Sequence, residues 1–284
     1  FTEVPEPEPC PPLRSLTNRF KERVGLSPYS RLLMCSHVMS RAFQDLAGIS
    51  DHRISVIPNG INRTVFHGVE ASEKPAIRRK LGLPVEGPLV LCVSSVVPRK
   101  GIDILLNAWK IVLSSHPSAK LVIVGSAHVR PTFKLSERME LQQYKDDIRS
   151  SISGLSNSSS VILTGEVDNV QDYYKAADVF AFTSHKEGLP SAVLEAMSSG
   201  LPSVLAPFHG FPAPGEEYGL PGVHFFPATH EPTSMAEGIN RLLSSQNERI
   251  SIGRAASLWI EETQSMEFAA DRLAAVYRSV CGYA

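Results

Sequence analysis

The chain has few cysteines, no long hydrophobic run and almost no net charge, and each shortage argues against a class of protein. Its 284 residues include four cysteines, Cys10, Cys35, Cys92 and Cys281, with no C-x-x-C pair. This argues against a zinc site or a disulfide framework and favours a reducing compartment, so we expect a cytoplasmic protein. No apolar stretch approaches the roughly 20 residues that cross a bilayer. A formal net charge of -1 gives no electrostatic basis for nucleic acid as a main partner.

Familiar catalytic signatures are also missing. The sequence contains no Walker loop, no H-E-x-x-H motif, no Ser-His-Asp order and no internal repeat. Residues 1–12 are rich in proline and glutamate, carry no secretory signal and do not begin with Met. We expect them to be disordered, and we expect the chain to be a fragment or a processed form.

Short apolar segments alternate with helical periodicity along most of the chain, which is typical of a parallel sheet covered on both faces by helices. Ligands of such α/β sheets bind beyond the carboxyl ends of the strands. The predicted strands are Arg31–Cys35, Ile54–Ile57, Leu89–Val93, Leu121–Val124, Val161–Leu163, Val179–Phe182 and Ser203–Ala206. The predicted helices are Leu13–Val24, His37–Leu46 with Ser36 as N-cap, Ile102–Leu113, Leu135–Ile152, Val170–Ala177 and the closing helical segments Met235–Leu243 and Glu248–Cys281.

The most informative stretch is E-G-L-P-S-A-V-L-E-A-M-S-S-G-L-P, which runs from Glu187 to Pro202. Pro190 and Ser191 are expected to open a helix, and Gly200 to close it. The unpaired N–H groups of its first turn would suit a phosphate. Acids on either side of that position can accept hydrogen bonds from hydroxyls, although the spacing alone would also suit two acids on a solvated helix.

The wider pattern resembles the signature of retaining GT-B glycosyltransferases of glycosyltransferase family 4, E-G-x-P-x-x-x-x-E-A-M-A-x-G-x-P. Eight positions match it: Glu187, Gly188, Pro190, Glu195, Ala196, Met197, Gly200 and Pro202. The resemblance implies that Glu187 accepts hydrogen bonds from the donor sugar and Glu195 from the ribose. It further implies that the backbone of Gly188, Leu189, Pro190 and Ser191 lines the diphosphate site.

A second match follows the strand Leu89–Val93. The run V-S-S-V-V-P-R-K-G-I-D-I-L-L-N-A is similar to the family pattern v-G-R-L-x-x-x-K-G-x-d-x-L-L-x-A, which assigns Lys100 to the donor phosphates. Ser94 and Ser95 replace the Gly and Arg of the pattern, so one expected cation is missing. Arg99 could substitute for it or point away, and the pair of basic residues could also be a solvated cap on a loop.

Weaker matches lie elsewhere. I-S-V-I-P-N-G-I-N-R-T-V-F resembles the segment between the two GT-B domains, with Asn62 in place of the usual Asp. Val167 falls in the loop that reads the nucleotide base in the family. In the Pro/Gly-rich loop Ala206–Gly222, Gly210 and Pro212 fit the pattern G-G-x-P-E, with the acid displaced to Glu216 or Glu217. A long loop of this kind is either functional or variable surface. His128, His185 and His209 are loop histidines for which solvent exposure is more typical than catalysis.

The resemblance therefore implies an α/β, GT-B type fold. We expect a disordered segment over 1–12, a remnant of the N-terminal acceptor domain over 13–67, and a Rossmann-like nucleotide-sugar-binding domain over 68–284. The implied reaction transfers a sugar from a nucleotide-diphosphate donor to a saccharide, lipid or other acceptor, with retention of configuration and without a metal or other cofactor. It also implies peripheral membrane contact through the absent domain. A binding fragment without turnover, or another GT-B enzyme such as a sugar-nucleotide epimerase, remains open.

Overall fold

A computed structural model describes residues 24–26, 28–126 and 135–282. The predictions for 1–12 and for a helix over Leu13–Val24 lie almost wholly outside these residues, as does His128. The described chain forms two compact units, which divide at Asn59/Gly60 and at Phe268/Ala269. The sequence analysis placed the boundary between the two folded parts at 67/68, and in the structure the residues from Ala269 onward group with the first unit. No helix among the described residues combines the length and the apolar character that a membrane span needs.

The first unit contains two parallel strands, β1 (Leu32–Met34) and β2 (Ile54–Val56), and the helix α1 (His37–Ala47) between them. Ser36 caps α1 as predicted, because its hydroxyl accepts a hydrogen bond from the Met39 N–H at 3.2 Å. Apolar side chains of the strands form a small core of their own.

The second unit is built around one six-stranded parallel sheet in the order β5-β4-β3-β6-β7-β8. Its strands are β3 (Leu89–Val93), β4 (Lys120–Val124), β5 (Val161–Gly165), β6 (Val179–Phe182), β7 (Ser203–Leu205) and β8 (Phe226–Pro227). The helices are α2 (Lys74–Lys80), α3 (Ile102–Ser115), α4 (Leu135–Ser153), α5 (Val170–Ala176), α6 (Ser191–Ser198), α7 (Pro232–Ser244) and α8 (Gln246–Thr263), followed by α9 (Met266–Cys281), which continues into the first unit.

Burial on both faces explains why the strands have continuous apolar sequences. Along β3, Leu89 and Leu91 belong to one core cluster, while Val90 and Cys92 belong to the other. Since side chains alternate across a strand, a sheet covered by helices on both faces needs apolar residues at every position. The predicted α/β fold with helices on both faces is confirmed.

Two elements were not predicted, and both have weak sequence patterns. The strand β8 is only two residues long. The helix α2 is short and basic; Ile77 packs against a core cluster, and ion pairs join the helix to Asp178. Lys74 and Arg78 of α2 lie 3.0 and 2.7 Å from the carboxylate of Asp178, which also accepts from the Leu89 N–H. Burial alone would raise the pKa of Asp178, but the charges of Lys74 and Arg78 hold it below its ordinary value.

The segment that resembles an interdomain connection forms a tight turn. Asn62 Oδ1 accepts hydrogen bonds from the backbone N–H and the hydroxyl of Thr64, at 3.0 and 2.7 Å. An asparagine oxygen can make this local turn as an aspartate would, so replacing the usual Asp keeps the turn. Ile61 then pairs with Ser265 in a short parallel bridge.

Candidate active site at the carboxyl edge of the sheet

The strand order reverses between β3 and β6, so the segments that follow these two strands meet at the carboxyl edge of the sheet. The Thr183 hydroxyl donates to the Lys100 carbonyl at 3.1 Å, and the His185 N–H donates to the Arg99 carbonyl at 2.8 Å. These bonds fix the turn after β3 against the end of β6. The fold thereby brings together two segments that the sequence analysis had singled out separately.

Glu187 lies at the centre of this junction. Its Oε1 atom is 2.5 Å from Lys100 Nζ and 3.2 Å from Arg99 Nη1, and it accepts a hydrogen bond from the Ser184 hydroxyl at 2.5 Å. The side chains of Glu187 and Lys100 are only 10% and 13% exposed. Oε2 accepts no hydrogen bond from the residues that the structure describes, so this oxygen can accept one from a ligand hydroxyl.

The structure answers the question that the sequence left open about Arg99. Its guanidinium turns toward the site, since it bonds to both Glu187 and the Lys186 carbonyl, although the side chain stays 53% exposed. Ser95, which stands where the family pattern has Arg, is half-buried at the end of β3. The site thus holds two cations, one from Lys100 and one from Arg99 rather than from position 95.

The helix α6 begins beside Glu187 with no side chain capping its first turn. Pro190 is the N-cap residue rather than a first-turn residue as predicted, and Ser191 is the first helical residue. Gly188 and Ser191 are exposed, whereas Leu189 packs against the core. Unpaired N–H groups at an exposed helix start are a suitable place for a phosphate.

Glu195, one turn further along α6, is contacted by a residue that the sequence analysis did not identify. The Tyr174 hydroxyl lies 2.9 Å from Glu195 Oε2. Burial raises the pKa of the Glu195 carboxyl, and the hydrogen bond from Tyr174 opposes that shift. Glu195 is therefore a partly buried acid that one neighbour orients, not a solvated helix residue.

Val167 lies after β5, an edge strand two positions from the β3/β6 junction. Its side chain packs against the core, while its neighbours Glu166 and Asp168 are exposed. The backbone of this loop therefore lies at the same edge as the other candidate residues, but the described contacts do not join it to Glu187.

Two histidines stack beside the site. The rings of His185 and His230 are 4.3 Å apart, and His230 Nε2 lies 3.1 Å from the Ser184 carbonyl oxygen. Burial lowers the pKa of His185, the charge of His230 lowers it further, and Asp103 opposes the shift. His209 contributes through its backbone, which bonds to His185 and Glu187.

Sequence reasoning missed several residues of this site. They are Ser184, which bonds to Glu187; His230; Tyr174; and Phe182, whose ring centroid is 5.8 Å from Lys100 Nζ. Only Ser184 had a signal, because it lies three residues before Glu187. The Pro/Gly-rich loop between β7 and β8 gave an ambiguous sequence signal. In that loop Glu216 accepts a hydrogen bond from the Ala213 N–H at 2.7 Å, which closes a turn.

Sequence comparison places relatives of this chain among enzymes that transfer sugars. The chain is 31% identical over 219 residues to a D-inositol 3-phosphate glycosyltransferase of Acidothermus cellulolyticus, an alignment that covers 75% of this chain and 45% of that protein. It is 26% identical over 230 residues to a GDP-mannose-dependent monoacylated alpha-(1-6)-phosphatidylinositol monomannoside mannosyltransferase of Corynebacterium glutamicum, covering 78% and 55%. The chain spans about half the length of these curated relatives.

Solved structures share the fold. The Anabaena protein HepE in complex with UDP-glucose superimposes with a TM-score of 0.75 at 23% identity, over 92% of this chain and 68% of that one. The C-terminal domain of a group 1 glycosyl transferase, LpcC, from Francisella tularensis gives a TM-score of 0.57 at 20% identity, over 73% of this chain and 100% of that one. The profile of the family described as "Glycosyl transferases group 1" matches residues 73–259, so the chain belongs to that family.

Proposed function

We propose that the protein transfers a sugar from a nucleotide-diphosphate donor to an acceptor, with retention of configuration and without a metal ion. The observation that carries this proposal is the junction of Lys100, Arg99 and Glu187 beside the uncapped start of α6. Two cations and the start of α6, which no described side chain caps, offer the charge that a diphosphate needs. The structural neighbour that holds UDP-glucose and the relatives named as glycosyltransferases support the same reading.

In this proposal each side chain has one task. Lys100 and the amides around Gly188 and Ser191 hold the diphosphate and stabilise its charge as it leaves the sugar. Glu187 accepts hydrogen bonds from the donor sugar through Oε2, while Lys100 and Ser184 fix Oε1. Glu195 accepts from the ribose hydroxyls, and the backbone around Val167 borders the base.

Ser95 supports a second candidate, a binding module without turnover. The family pattern has a cation at this position, and serine supplies none. The two candidates separate in one experiment, since both bind nucleotide-sugar but only one gives transfer. An epimerase would instead change the sugar of the donor in the absence of any acceptor.

Calorimetric titration with UDP, GDP, ADP and their sugar conjugates tests the proposal. The wild-type chain should bind at least one nucleotide-sugar, also in the presence of EDTA. Glu187→Gln should lose the extra affinity that the sugar brings, while binding of the bare diphosphate stays equal or strengthens because a neighbouring negative charge is gone.

Glu86→Gln is the matched control for this experiment. Glu86 is exposed and precedes β3, at the opposite edge of the sheet, so both affinities should remain at wild-type values. Equal losses for diphosphate and nucleotide-sugar in Glu187→Gln would contradict the sugar-binding role. No binding of any nucleotide by the wild-type chain would reject the proposed function.

A further inference from the structure

Tyr174 donates a hydrogen bond to Glu195 from inside the core. The tyrosine side chain lies on α5 and is only 1% exposed. Its hydroxyl is 2.9 Å from Glu195 Oε2 and 3.2 Å from the Ala192 carbonyl oxygen, both on α6. A phenol has one proton, and a carboxylate is the stronger acceptor. The shorter contact therefore identifies Glu195 as the main partner.

The packing around Tyr174 leaves its hydroxyl little freedom. Phe66 meets the ring edge-on at a centroid distance of 5.9 Å, and Phe180 lies 6.0 Å away. Phe66 is held in turn, because the Ser198 hydroxyl donates to its carbonyl at 2.6 Å. Close-packed aromatic rings of this kind stay in one rotamer, so the phenolic oxygen is a fixed point.

A fixed donor on one carboxylate oxygen determines where the other oxygen lies. The side chain of Glu195 tilts toward the start of α6, as helical side chains do, and that start is the proposed phosphate position. Tyr174 holds Oε2, whereas Oε1 accepts no hydrogen bond from the described residues. A long glutamate side chain that is ordered before the ligand arrives loses less conformational entropy on binding.

We infer that Tyr174 is a positioning residue, which orients the Glu195 carboxylate so that its second oxygen accepts from the ribose hydroxyls of the donor nucleotide. This inference rests on the proposed function, since it presupposes a nucleotide at the start of α6. Tyr174 itself touches no reacting atom. Its contribution passes through Glu195, which makes it testable by removing a single oxygen atom.

The protonation state of Glu195 depends on the hydrogen bond that Tyr174 donates to it. Among the described residues, the titratable groups that influence this pair are Tyr174 and Glu195 themselves and the Cys92 thiol on β3. Burial raises the pKa of Cys92 to about 12, so the thiol remains neutral at ordinary pH. Without the phenol, the pKa of Glu195 should rise. As the pH falls, the carboxylate should then be protonated earlier than in the wild type, and ribose binding that needs the carboxylate should be lost at a higher pH.

Tyr174→Phe is the test, because it keeps the ring and removes only the hydroxyl. One probe is whichever of UDP, GDP and ADP binds the wild-type chain most tightly. The other probe is the 2′,3′-dideoxy form of that nucleotide. We expect the variant to bind the ribonucleotide about tenfold more weakly, as for loss of a hydrogen bond to a charged group. It should bind the dideoxy form as the wild type does, and the acid limb of its affinity profile should move to higher pH.

Two further variants separate positioning from general damage. Tyr173→Phe changes a buried tyrosine of the same helix and should leave all affinities unchanged. A Tyr174→Phe, Glu195→Gln double variant should lose no more affinity than Glu195→Gln alone, because both changes remove one interaction.

Other results would overturn the inference in distinct ways. Additive losses, or an equal loss for the dideoxy nucleotide, would mean that Tyr174 acts on the fold rather than through Glu195. Unchanged affinity in Tyr174→Phe would also reject it, while leaving the proposed function in place. Failure of the wild-type chain to bind any of the three nucleotides would reject both.

Discussion

Lys100 and Glu187 are 87 positions apart in the chain, and their side chains meet with 2.5 Å between Nζ and Oε1. Both are largely buried, so removing Glu187 would leave Lys100 without its ion-pair partner in a poorly solvated place. A ligand phosphate that binds here has to share Lys100 with Glu187. The second cation, Arg99, is more exposed and forms an ion pair with the same oxygen of Glu187, Oε1. At the scale of single residues, the question is whether these two cations suffice for a diphosphate.

Ser95→Arg answers that question. The family pattern has Arg at this position, so a third cation should face the phosphates. The variant should bind bare diphosphate more tightly than the wild type does, and this gain should be larger at low salt than at high salt. Ser115→Arg, at the far end of α3, is the control and should change nothing. If Ser95→Arg gives no gain even at low salt, Arg99 already serves this role, or position 95 does not face the phosphates.

At the scale of elements, the site depends on a close approach between the turn after β3 and the end of β6. Gly101 adopts φ +64° at this contact, and a Cβ atom there would lie 2.3 Å from the Thr183 carbonyl oxygen. The obstacle is backbone, which cannot turn aside as a side chain can. Only glycine fits both the positive φ and the short distance, so this residue permits Lys100 to reach Glu187.

Gly101→Ala should therefore destabilise the fold and weaken nucleotide binding together. Gly165→Ala is the matched comparison, since Gly165 also has a positive φ, +75°, but no heavy atom lies within 4 Å of the added carbon. Urea unfolding should show a loss of about 1–2 kcal/mol for Gly165→Ala, from backbone strain alone, and a larger loss for Gly101→Ala. Equal losses would show that the close approach contributes nothing.

At the scale of the molecule, every described candidate residue belongs to the second unit. The six-stranded sheet and both large core clusters lie within Gly60–Phe268 as well. The helix α8 contributes to both clusters, since Ile252 belongs to one and Ile260 to the other. The residues that we propose to bind a nucleotide thus all lie in one unit.

A fragment of residues 60–268 should fold cooperatively and bind the preferred nucleotide with an affinity within about twofold of the whole chain, because the binding free energy arises from contacts inside the unit. A fragment of residues 60–244 lacks α8 and should fail to fold, since side chains of both core clusters would be exposed to water. Circular dichroism and calorimetry would measure both. A folded 60–268 fragment without nucleotide affinity would place part of the site outside this unit.

Patterns among neighbouring residues were enough to predict the architecture and the region of the candidate site. Apolar segments such as Leu89–Val93 and Val179–Phe182 have no polar position, and only a sheet buried on both faces accommodates such strands, so their bounds were predicted to the residue. The match from Glu187 to Pro202 placed an acid at the end of a strand and another on the following helix. Local patterns of this kind can be predicted from the sequence because they depend on residues that are neighbours in the chain.

The side chains that meet at the candidate site come from distant parts of the chain, and their pairing follows from the folded arrangement. Arg99 could have faced solvent, and nothing in the chain near Glu195 pointed to Tyr174, 21 residues earlier. The helix α2 is joined to Asp178, which lies 100 positions from Arg78 in the chain. Such pairings depend on the order of strands in the sheet, which brings distant segments to a common edge. A single sequence records the residues that make these contacts but not the contacts themselves.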